Sequence, residues 1–480
     1  MAGRFMAFGI TACVPFVLVR FLSQHEFGTY KQAFLISSTL YLISQFGFAT
    51  SLFYFLPKAQ QGSRYVCNAI IFLTCLGALC ASVLALAAKP IAARLNNPGL
   101  SEYLPWIGLY TAFFMVSVIL EIVMICRAQY VYASATYALS DALKAVCFLI
   151  PVCLGWGLRG LFIGAVLAMA ARGAVMVVYF KREFGAAMTP DLRLFRSQLQ
   201  YAVPFGAAVL VSILERNYHQ YFVSSHFDAS TFAIYAAGCL QIPFIDFVAV
   251  PSGDVMMVKM REAFANGNNG AILAIWHDTT RKLAALFFPM VALSIIVARE
   301  LIVTLYTSAY EASVPIFIAW SFAIVFAAIL TDGVMRVYAQ TRFLLIVNLV
   351  KLGLTAALVG LFVQSFHLVG AVTITLATTL VAKAVALARM KHLMKIRWPE
   401  LLPWSKLGVI TLFAIVAGLP AILVKNSFHA VPLVALLVAG LAYVVSYGAL
   451  ALGSGLVALP NLSAMWSWRR KAGESVGESA

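Results

Sequence analysis

The residues of this sequence best suited to chemistry are five basic side chains inside long apolar segments, namely Lys144, Arg172, Arg216, Lys351 and Lys383. A charge at the centre of a lipid bilayer costs about 2.5–3.5 kcal/mol on insertion scales. Such a side chain therefore reaches the membrane surface, pairs with an acid or lines a water-filled cavity. A cavity with surplus positive charge suits an anionic ligand such as a phosphate or a pyrophosphate. We predict these five residues as candidate substrate-binding groups.

Two of the five, Arg216 and Lys351, are the strongest candidates. Lys351 has Asn348 three residues before it, and an asparagine cannot neutralise a charge. Arg216 lies deep in its apolar segment, directly after Glu215. The sequence thus predicts an unneutralised charge at Lys351 and a buried cation at Arg216.

The other three have simpler explanations that the sequence leaves open. Asp141 lies three residues before Lys144 on the same helical face, so a local ion pair accounts for Lys144 equally well. Arg172 and Lys383 lie within about two helical turns of a segment end, from which a long side chain can extend to the surface.

Two acids, Asp246 and Glu215, are the candidates for ion coupling or gating. The segment at residues 230–258 contains Pro243 and Pro251, so we expect a kinked or broken helix there. Backbone carbonyls freed by such a break, together with the Asp246 carboxylate, could bind a coupling ion. For Asp246, a purely structural role is an equal alternative.

The composition identifies the environment of these residues. Of the 480 residues, 62% are hydrophobic and 11% are charged, and the mean hydropathy is +0.92. Soluble domains carry roughly a quarter of charged residues. The apolar residues recur in stretches of about 20, the length at which a helix crosses a bilayer. We predict an all-α polytopic membrane protein.

We expect about 14 transmembrane helices, arranged as two pseudo-symmetric six-helix bundles plus two C-terminal helices. The predicted spans are residues 5–22, 33–56, 66–88, 104–126, 134–156, 158–180, 199–225, 230–258, 281–305, 313–338, 343–365, 368–390, 405–425 and 431–452.

The longest early polar stretch, residues 181–200, divides the two bundles. It contains four basic residues, and Pro190 interrupts any continuous helix. We therefore predict an N-terminal lobe at 1–180, a basic cytoplasmic connector at 181–200 and a C-terminal lobe at 201–390. Two additional transmembrane helices follow at 391–455, and a cytoplasmic tail at 456–480.

An internal repeat relates the two halves. The pairs Val123-Met124 and Ala128-Gln129 recur as Val334-Met335 and Ala339-Gln340 at an offset of 211, and Lys144 matches Lys351 at 207. An even number of spans in each half gives both halves the same orientation in the membrane. Parallel repeats of this kind occur in transporters that expose a central site to alternate sides.

The formal net charge of +16 reflects topology rather than a nucleic-acid partner. Most Lys and Arg residues outside the spans lie on the side of the N-terminus, which the positive-inside rule assigns to the cytoplasm. We expect both termini to be cytoplasmic. The sequence contains no phosphate-binding G-x-x-x-x-G-K motif, no metal-binding cysteine spacing and no long outer loop. We therefore predict no catalytic residue, no metal site and no cofactor.

Two stretches resemble motifs of a known family, the Wzx-type polysaccharide flippases of the multidrug/oligosaccharidyl-lipid/polysaccharide exporter superfamily. The first, from Arg20 through Glu26 to Tyr30, is similar to the family pattern R-x-L-x-x-x-E-[FY]-G-x-Y before the second helix, and Gly47 and Leu56-Pro57 continue it. The second comprises Pro251 to Lys259, the polar loop at 266–270, Arg281, Pro289 and Tyr310-Glu311-Ala312 ahead of Pro315.

The resemblance implies a bacterial inner-membrane protein that translocates polyprenyl-pyrophosphate-linked oligosaccharides for surface polysaccharide biosynthesis. It implies alternating access of two lobes around a cationic cavity. It also implies as partners the lipid-linked oligosaccharide, membrane lipids and a polysaccharide polymerase of the same pathway. The main alternative is a cation-coupled multidrug exporter of the same fold, for which surplus buried acids are expected. A peptidoglycan-precursor flippase and a polysaccharide-polymerising enzyme are further alternatives.

Overall fold

The computed structural model describes residues 2–45, 47–58, 62–185, 188–427 and 431–456, and these residues form helices without any β-strand. The α-helices are α1 (Ala2–Leu18), α2 (Gln24–Ser44), α3 (Phe48–Phe55), α4 (Gly62–Leu86), α5 (Ala88–Arg94), α6 (Leu100–Ser117), α7 (Ile119–Cys126), α8 (Tyr130–Cys153), α9 (Gly157–Phe184), α10 (Leu192–His226), α11 (Ala229–Gly238), α12 (Pro243–Ala265), α13 (Asn269–Ile296), α14 (Ala298–Tyr306), α15 (Val314–Ser321), α16 (Ala323–Ala327), α17 (Thr331–Val337), α18 (Thr341–Met394), α19 (Trp398–Leu401), α20 (Trp404–Val416), α21 (Gly418–Ser427) and α22 (Pro432–Gly453). Short 3-10 helices lie at Leu56–Lys58 and Ser308–Ser313.

The protein is a multi-pass membrane protein. Within the described ranges, nine helices are long and apolar enough to cross a bilayer, or up to ten if α2 and α3, bent by 42°, count as one span. The predicted total of about 14 is not established by this measure. The all-helical fold class is confirmed.

The 54-residue helix α18 is two helices joined by a break. Phe366 and His367 leave helical geometry, and His367 has a φ of 51°. The sequence predicts adjacent spans at 343–365 and 368–390, and the break falls between them. The apolar runs alone were sufficient to locate this boundary.

The predicted span at 230–258 is broken just before Pro243, whereas Pro251 lies inside the continuous helix α12. Helix α11 ends at Gly238, residues 239–242 are not helical, and α12 begins at Pro243. A proline lacks the amide hydrogen that a helix interior needs, whereas the first helical turn tolerates this loss. Asp246 therefore lies in the first turn of α12, directly after the break.

The internal repeat is visible in backbone geometry. Ala128 and Ala339, which are equivalent positions of the repeat, both take a left-handed conformation, with φ of 59° and 55°. Each is followed by a glutamine whose backbone N–H bonds five residues back at 2.8 Å, which is the same helix-ending turn.

The glutamine side chains in these two turns also have equivalent partners. The Tyr179 hydroxyl donates to Gln129 Oε1 at 2.7 Å, and the Arg389 guanidinium donates to Gln340 Oε1 at 2.9 Å. The two donors are separated in the sequence by nearly the same spacing as the two glutamines. Equivalent backbone turns with equivalent side-chain anchors support descent of both halves from one unit.

The described residues cluster into two compact units, one from 1–247, 302–320 and 334–389, the other from 248–301, 321–333 and 390–456. The division of the chain into lobes at 181–200 stays a prediction. The spans Trp404–Ser427 and Pro432–Gly453 lie in the region predicted for two additional helices. Residues 457–480, nearly all of the predicted cytoplasmic tail, lie outside the described residues.

The first unit is held together by a close approach between α2 and α11. A Cβ atom on Gly28 would lie 1.8 Å from the Ala229 carbonyl oxygen, so only glycine fits this contact. Beside it, the ring of Phe27 packs edge-on against Tyr310, with 5.8 Å between centroids. Ser23 and Asp228 cap the N-termini of the two helices, at positions that the repeat relates to each other.

The helices of the second unit are joined by hydrogen bonds to backbone carbonyls and by an ion pair. The Trp276 indole N–H donates to the Leu401 carbonyl at 2.8 Å, and the Tyr443 hydroxyl donates to the Ala414 carbonyl at 2.9 Å. Lys425 pairs with Glu300 at 2.9 Å. The first and third of these contacts attach α19 to α13 and α21 to α14, and the second joins α22 to α20.

Candidate functional site

The five basic residues singled out in the sequence divide according to their partners. Lys144 Nζ lies 2.7 Å from Asp141 Oδ1, which confirms the local ion pair expected from their spacing of three residues. Both side chains are at least three-quarters buried.

Arg172 is also neutralised, by an acid on a different helix. Its guanidinium lies 2.6 Å from Glu121 Oε2, and the side chains are 6% and 0% exposed. The burial excludes the surface-reaching conformation that the position near a helix end suggested. Glu121 was missed as a site residue because it lies on a different helix, far from Arg172 in the sequence. The repeat carried a usable signal, since Asp332 and Lys383 have the same sequence separation as Glu121 and Arg172.

Lys351 has a counter-charge, which corrects the expectation of an unneutralised lysine. Its Nζ lies 2.7 Å from Glu215 Oε1, and the side chains are 14% and 11% exposed. Asn348 instead donates to the Ser212 hydroxyl at 3.3 Å. Glu215 comes from α10 and Lys351 from α18, so spacing along one helix could not reveal the pair.

The Lys351 side chain borders a cavity of about 140 Å³ between the two halves of α18. Its lining is apolar apart from Lys351 and Thr378, whose hydroxyl lies 3.0 Å from that of Thr355. The pair thus combines low exposure with a small adjacent space. A competing anion that approached Lys351 would have to displace the Glu215 carboxylate.

Arg216 differs from the other four. Its side chain is exposed, which corrects the expectation of a buried cation at this position. It has no ion-pair or hydrogen-bond partner among the residues that the structure describes, whereas Lys383 does take part in an interaction. The following residue, Asn217, donates to Thr39 at 2.9 Å, which fixes α10 against α2. The Arg216 guanidinium therefore lies on a helix that is held in place by a neighbouring helix, and its five N–H groups are available to donate hydrogen bonds to a ligand.

Of the two acids, Glu215 is occupied by Lys351, and Asp246 is exposed. In the described part of the chain, Asp246 has no ion-pair or hydrogen-bond partner. Its place after the helix break is the one expected from the prolines. The coupling role itself stays a prediction.

A buried polar contact lies one turn after Glu215 on α10. His219 Nδ1 lies 2.6 Å from the Tyr235 hydroxyl, and its ring is 5.3 Å from that of Trp320. His219 is 1% exposed. The contact joins α10 to α11 close to the Glu215–Lys351 pair, and it accounts for a polar residue deep in the apolar segment.

No group of three or more His, Cys, Asp or Glu side chains among the described residues could hold a metal ion. Of the five basic residues, Arg216 alone has no partner among the described residues, Lys351 is buried and paired with a carboxylate, and the acid Asp246 is exposed after a helix break. An arginine binds phosphate oxygens with paired, charge-assisted hydrogen bonds. Anion binding by Arg216 stays a prediction.

Comparisons with solved structures identify the fold. The lipid II flippase MurJ in an inward closed conformation matches with a TM-score of 0.69 at 13% identity, covering 95% of this chain and 98% of that one. An inward-facing MATE-family multidrug resistance transporter of the MOP superfamily matches with a TM-score of 0.65 at 13% identity, over 82% and 94% of the two chains. A MOP superfamily transporter from Pyrococcus furiosus gives 0.60 at 13% identity, with the same coverage.

At these identities the likeness establishes the fold, the helical transporter fold that MurJ and the MATE proteins share. Among curated proteins, none matches the sequence. A family model described as "Polysaccharide biosynthesis protein" matches residues 17–315, which is more than half of the chain. The chain belongs to the polysaccharide biosynthesis protein family and has the fold of the multidrug/oligosaccharidyl-lipid/polysaccharide exporter superfamily.

Proposed function

We propose that the protein is a flippase that translocates a polyprenyl-pyrophosphate-linked oligosaccharide across the bacterial inner membrane for surface polysaccharide biosynthesis. Two lobes give the substrate alternating access to a cationic cavity, and both termini lie in the cytoplasm. The family supports the polysaccharide pathway, and the fold supports transport. Membrane lipids surround the protein, and a polysaccharide polymerase of the same pathway is the expected downstream partner.

The observation that carries the proposal is the unpaired Arg216. An exposed guanidinium within the predicted span 199–225 fits a water-filled cavity, and a pyrophosphate supplies it with a counter-charge whose oxygens have the geometry that arginine prefers. Electrostatic attraction in a water-filled cavity with protein walls is stronger than in bulk water. The substrate thus gives Arg216 the partner that it lacks among the described residues.

Lys351 acts as a second, conditional contact. When a substrate phosphate approaches, it replaces the Glu215 carboxylate as the partner of Lys351. Lys144, Arg172 and Lys383 are weaker candidates for substrate contact, because each already has an interaction partner. The sequence alone also ranks these three residues below Arg216 and Lys351.

Asp246 is our first candidate for ion coupling or gating. Glu215 is the second candidate, because its carboxylate becomes free to bind an ion once the substrate phosphate has replaced it beside Lys351. A proton or cation on Asp246 changes the charge at the first turn of α12, beside the helix break. Replacing Asp246 by Asn should alter the dependence of transport on pH or sodium. An unchanged ion dependence would restrict Asp246 to a structural role.

A second candidate function is a cation-coupled multidrug exporter of the same fold. The exposed Asp246 favours it, because an acid attracts a cationic drug. Arg216 opposes it, because an unpaired guanidinium repels the same drug. One experiment distinguishes the flippase function from the exporter function.

That experiment uses a strain that lacks the protein and asks on which membrane leaflet lipid-linked oligosaccharide accumulates. We expect trapping on the cytoplasmic leaflet, rescue by wild type and no rescue by Arg216→Ala. The matched control is Arg196→Ala, which removes the same exposed charge from the start of α10. If no intermediate accumulates and the cells become sensitive to cationic drugs, the exporter function replaces the flippase.

A further inference from the structure

Four aromatic side chains form a stacked group, the aromatic cluster, made of Tyr54, Phe55, Tyr65 and Tyr201. The rings of Tyr54 and Tyr201 stack at 4.9 Å with 15° between their planes, and those of Phe55 and Tyr65 stack at 5.1 Å and 15°. Phe55 joins the two stacks, edge-on to Tyr54 at 5.0 Å and to Tyr201 at 5.6 Å. Tyr54 is 50% exposed and Tyr201 is 48% exposed. The cluster is ordered, yet it presents about half of two tyrosine side chains to its surroundings.

The elements that carry the cluster are fixed to one another. Asp191 caps the N-terminus of α10, the helix that also carries Tyr201, and its carboxylate lies 3.1 Å from Arg64 on α4. Asn68 on α4 accepts the Asp191 N–H at 3.0 Å and donates to the Asp191 carbonyl at 2.9 Å. The rings are therefore positioned before any ligand arrives, which lowers the entropy lost on binding.

The cluster shares α10 with the proposed phosphate-binding residue. Tyr201 and Arg216 are separated by about 22 Å along the helix axis and by about 60° around it. The predicted topology places Tyr201 at the cytoplasmic end of α10. One helix thus presents a cation at membrane depth and an aromatic surface at its cytoplasmic end, on similar faces.

We propose that the aromatic cluster is a binding platform for the sugar rings of the substrate. The C–H faces of pyranose rings carry partial positive charge and stack on the electron-rich faces of aromatic rings. The phenol hydroxyls of Tyr54 and Tyr201 add hydrogen bonds to sugar hydroxyls. The inference rests on the proposed function, since it assigns to the cluster the glycan of a substrate whose pyrophosphate binds Arg216.

Tyrosines at the ends of membrane helices also serve as anchors in the lipid headgroup region. A matched control separates the two roles. Tyr132, near the start of α8 on the same predicted side, is 69% exposed, and its ring stacks on no other among the described residues. An anchoring role predicts equal effects for Tyr132 and Tyr201, whereas the platform predicts an effect for Tyr201 alone.

The test reconstitutes the full-length protein in vesicles and compares two substrates with the same lipid pyrophosphate, one carrying the complete glycan and one carrying a single sugar. We expect Tyr201→Leu and Tyr54→Leu to lower transport of the complete glycan about three- to tenfold, the factor for losing one aromatic contact. Transport of the single-sugar substrate should be unchanged. Tyr201→Phe should retain most of the activity, and Tyr132→Leu should behave as wild type.

Other outcomes overturn the inference. If Tyr201→Leu lowers transport of both substrates equally, or of neither, the cluster does not bind the glycan. Arg216→Ala should lower transport of both substrates, because both carry the pyrophosphate. If wild type transports neither substrate, the proposed function itself fails, and this result is distinct from a failure of the platform alone.

Discussion

Replacing Lys351 by methionine should destabilise the protein strongly, in contrast to replacing Arg216. The Lys351 and Glu215 side chains are 14% and 11% exposed, and 2.7 Å separates their charged atoms. Removal of the lysine leaves the Glu215 carboxylate buried without a counter-charge, which typically costs about 3–5 kcal/mol. Removal of Arg216, which is exposed and unpaired in the described structure, should change the free energy of unfolding by less than about 0.5 kcal/mol.

The measurement is the unfolding midpoint of the purified protein in detergent for three variants. These are Lys351→Met, Lys351→Met with Glu215→Leu, and Arg216→Met. Exchanging a buried ion pair for apolar residues of similar size is often neutral, so the double variant should recover most of the lost stability. If Lys351→Met is as stable as wild type, the ion pair does not contribute as the geometry indicates. If the double variant is no more stable than the single one, the loss comes from packing rather than from an unpaired charge.

Three further predictions concern stability elsewhere in the first unit. Glu121→Gln should cost about 3–5 kcal/mol, measured by the same unfolding assay, because it leaves the buried Arg172 without a counter-charge. The backbone N–H of Leu194, helped by that of Arg193 and by Arg64, lowers the pKa of Asp191 below its usual 3.8. The stabilising contribution of the Asp191 carboxylate is therefore present above about pH 3.8 and is lost as the pH falls through the lowered pKa. Acidification should thus reduce the protection of the first α10 amides against hydrogen exchange in wild type, and reduce it less in Asp191→Asn. Gly28→Ala should destabilise by about 1–3 kcal/mol or more through a clash with the facing helix, whereas Gly353→Ala, which meets no atom within 4 Å, should be neutral or stabilising.

Features encoded locally could be predicted from the sequence. The boundary inside α18 follows from two apolar runs, and the break before α12 follows from the inability of Pro243 to donate a helical hydrogen bond. The Lys144–Asp141 pair follows from a spacing of three residues on one helix. In each case the cause lies within one or two turns of the residue concerned.

Contacts between different helices could not be predicted from the sequence. The partner of Lys351 lies far from it in the sequence, and only the packing of α10 against α18 brings Glu215 to it. The residue three positions before Lys351 on the same helix is the uncharged Asn348, so the sequence alone indicated an unneutralised lysine. The count of spans was also hard to predict, because bends and breaks divide apolar segments into helices of different lengths. Charges deep in a membrane protein are therefore poor evidence of a binding site until their partners across helices are known.

The length of helix α10 determines the structure of the last part of the predicted connector, residues 192–200. Its 35 residues extend about 52 Å, whereas the hydrocarbon core of a bilayer is about 30 Å thick. In the predicted topology, residues 192–200 are the end of this helix that lies outside the bilayer. Asp191 joins that end to α4 through Arg64 and Asn68. Because residues 192–200 continue the same helix, we expect a movement of this end to be passed on to the span predicted at 199–225. An antibody fragment that binds residues 192–200 should therefore slow any movement of the span predicted at 199–225.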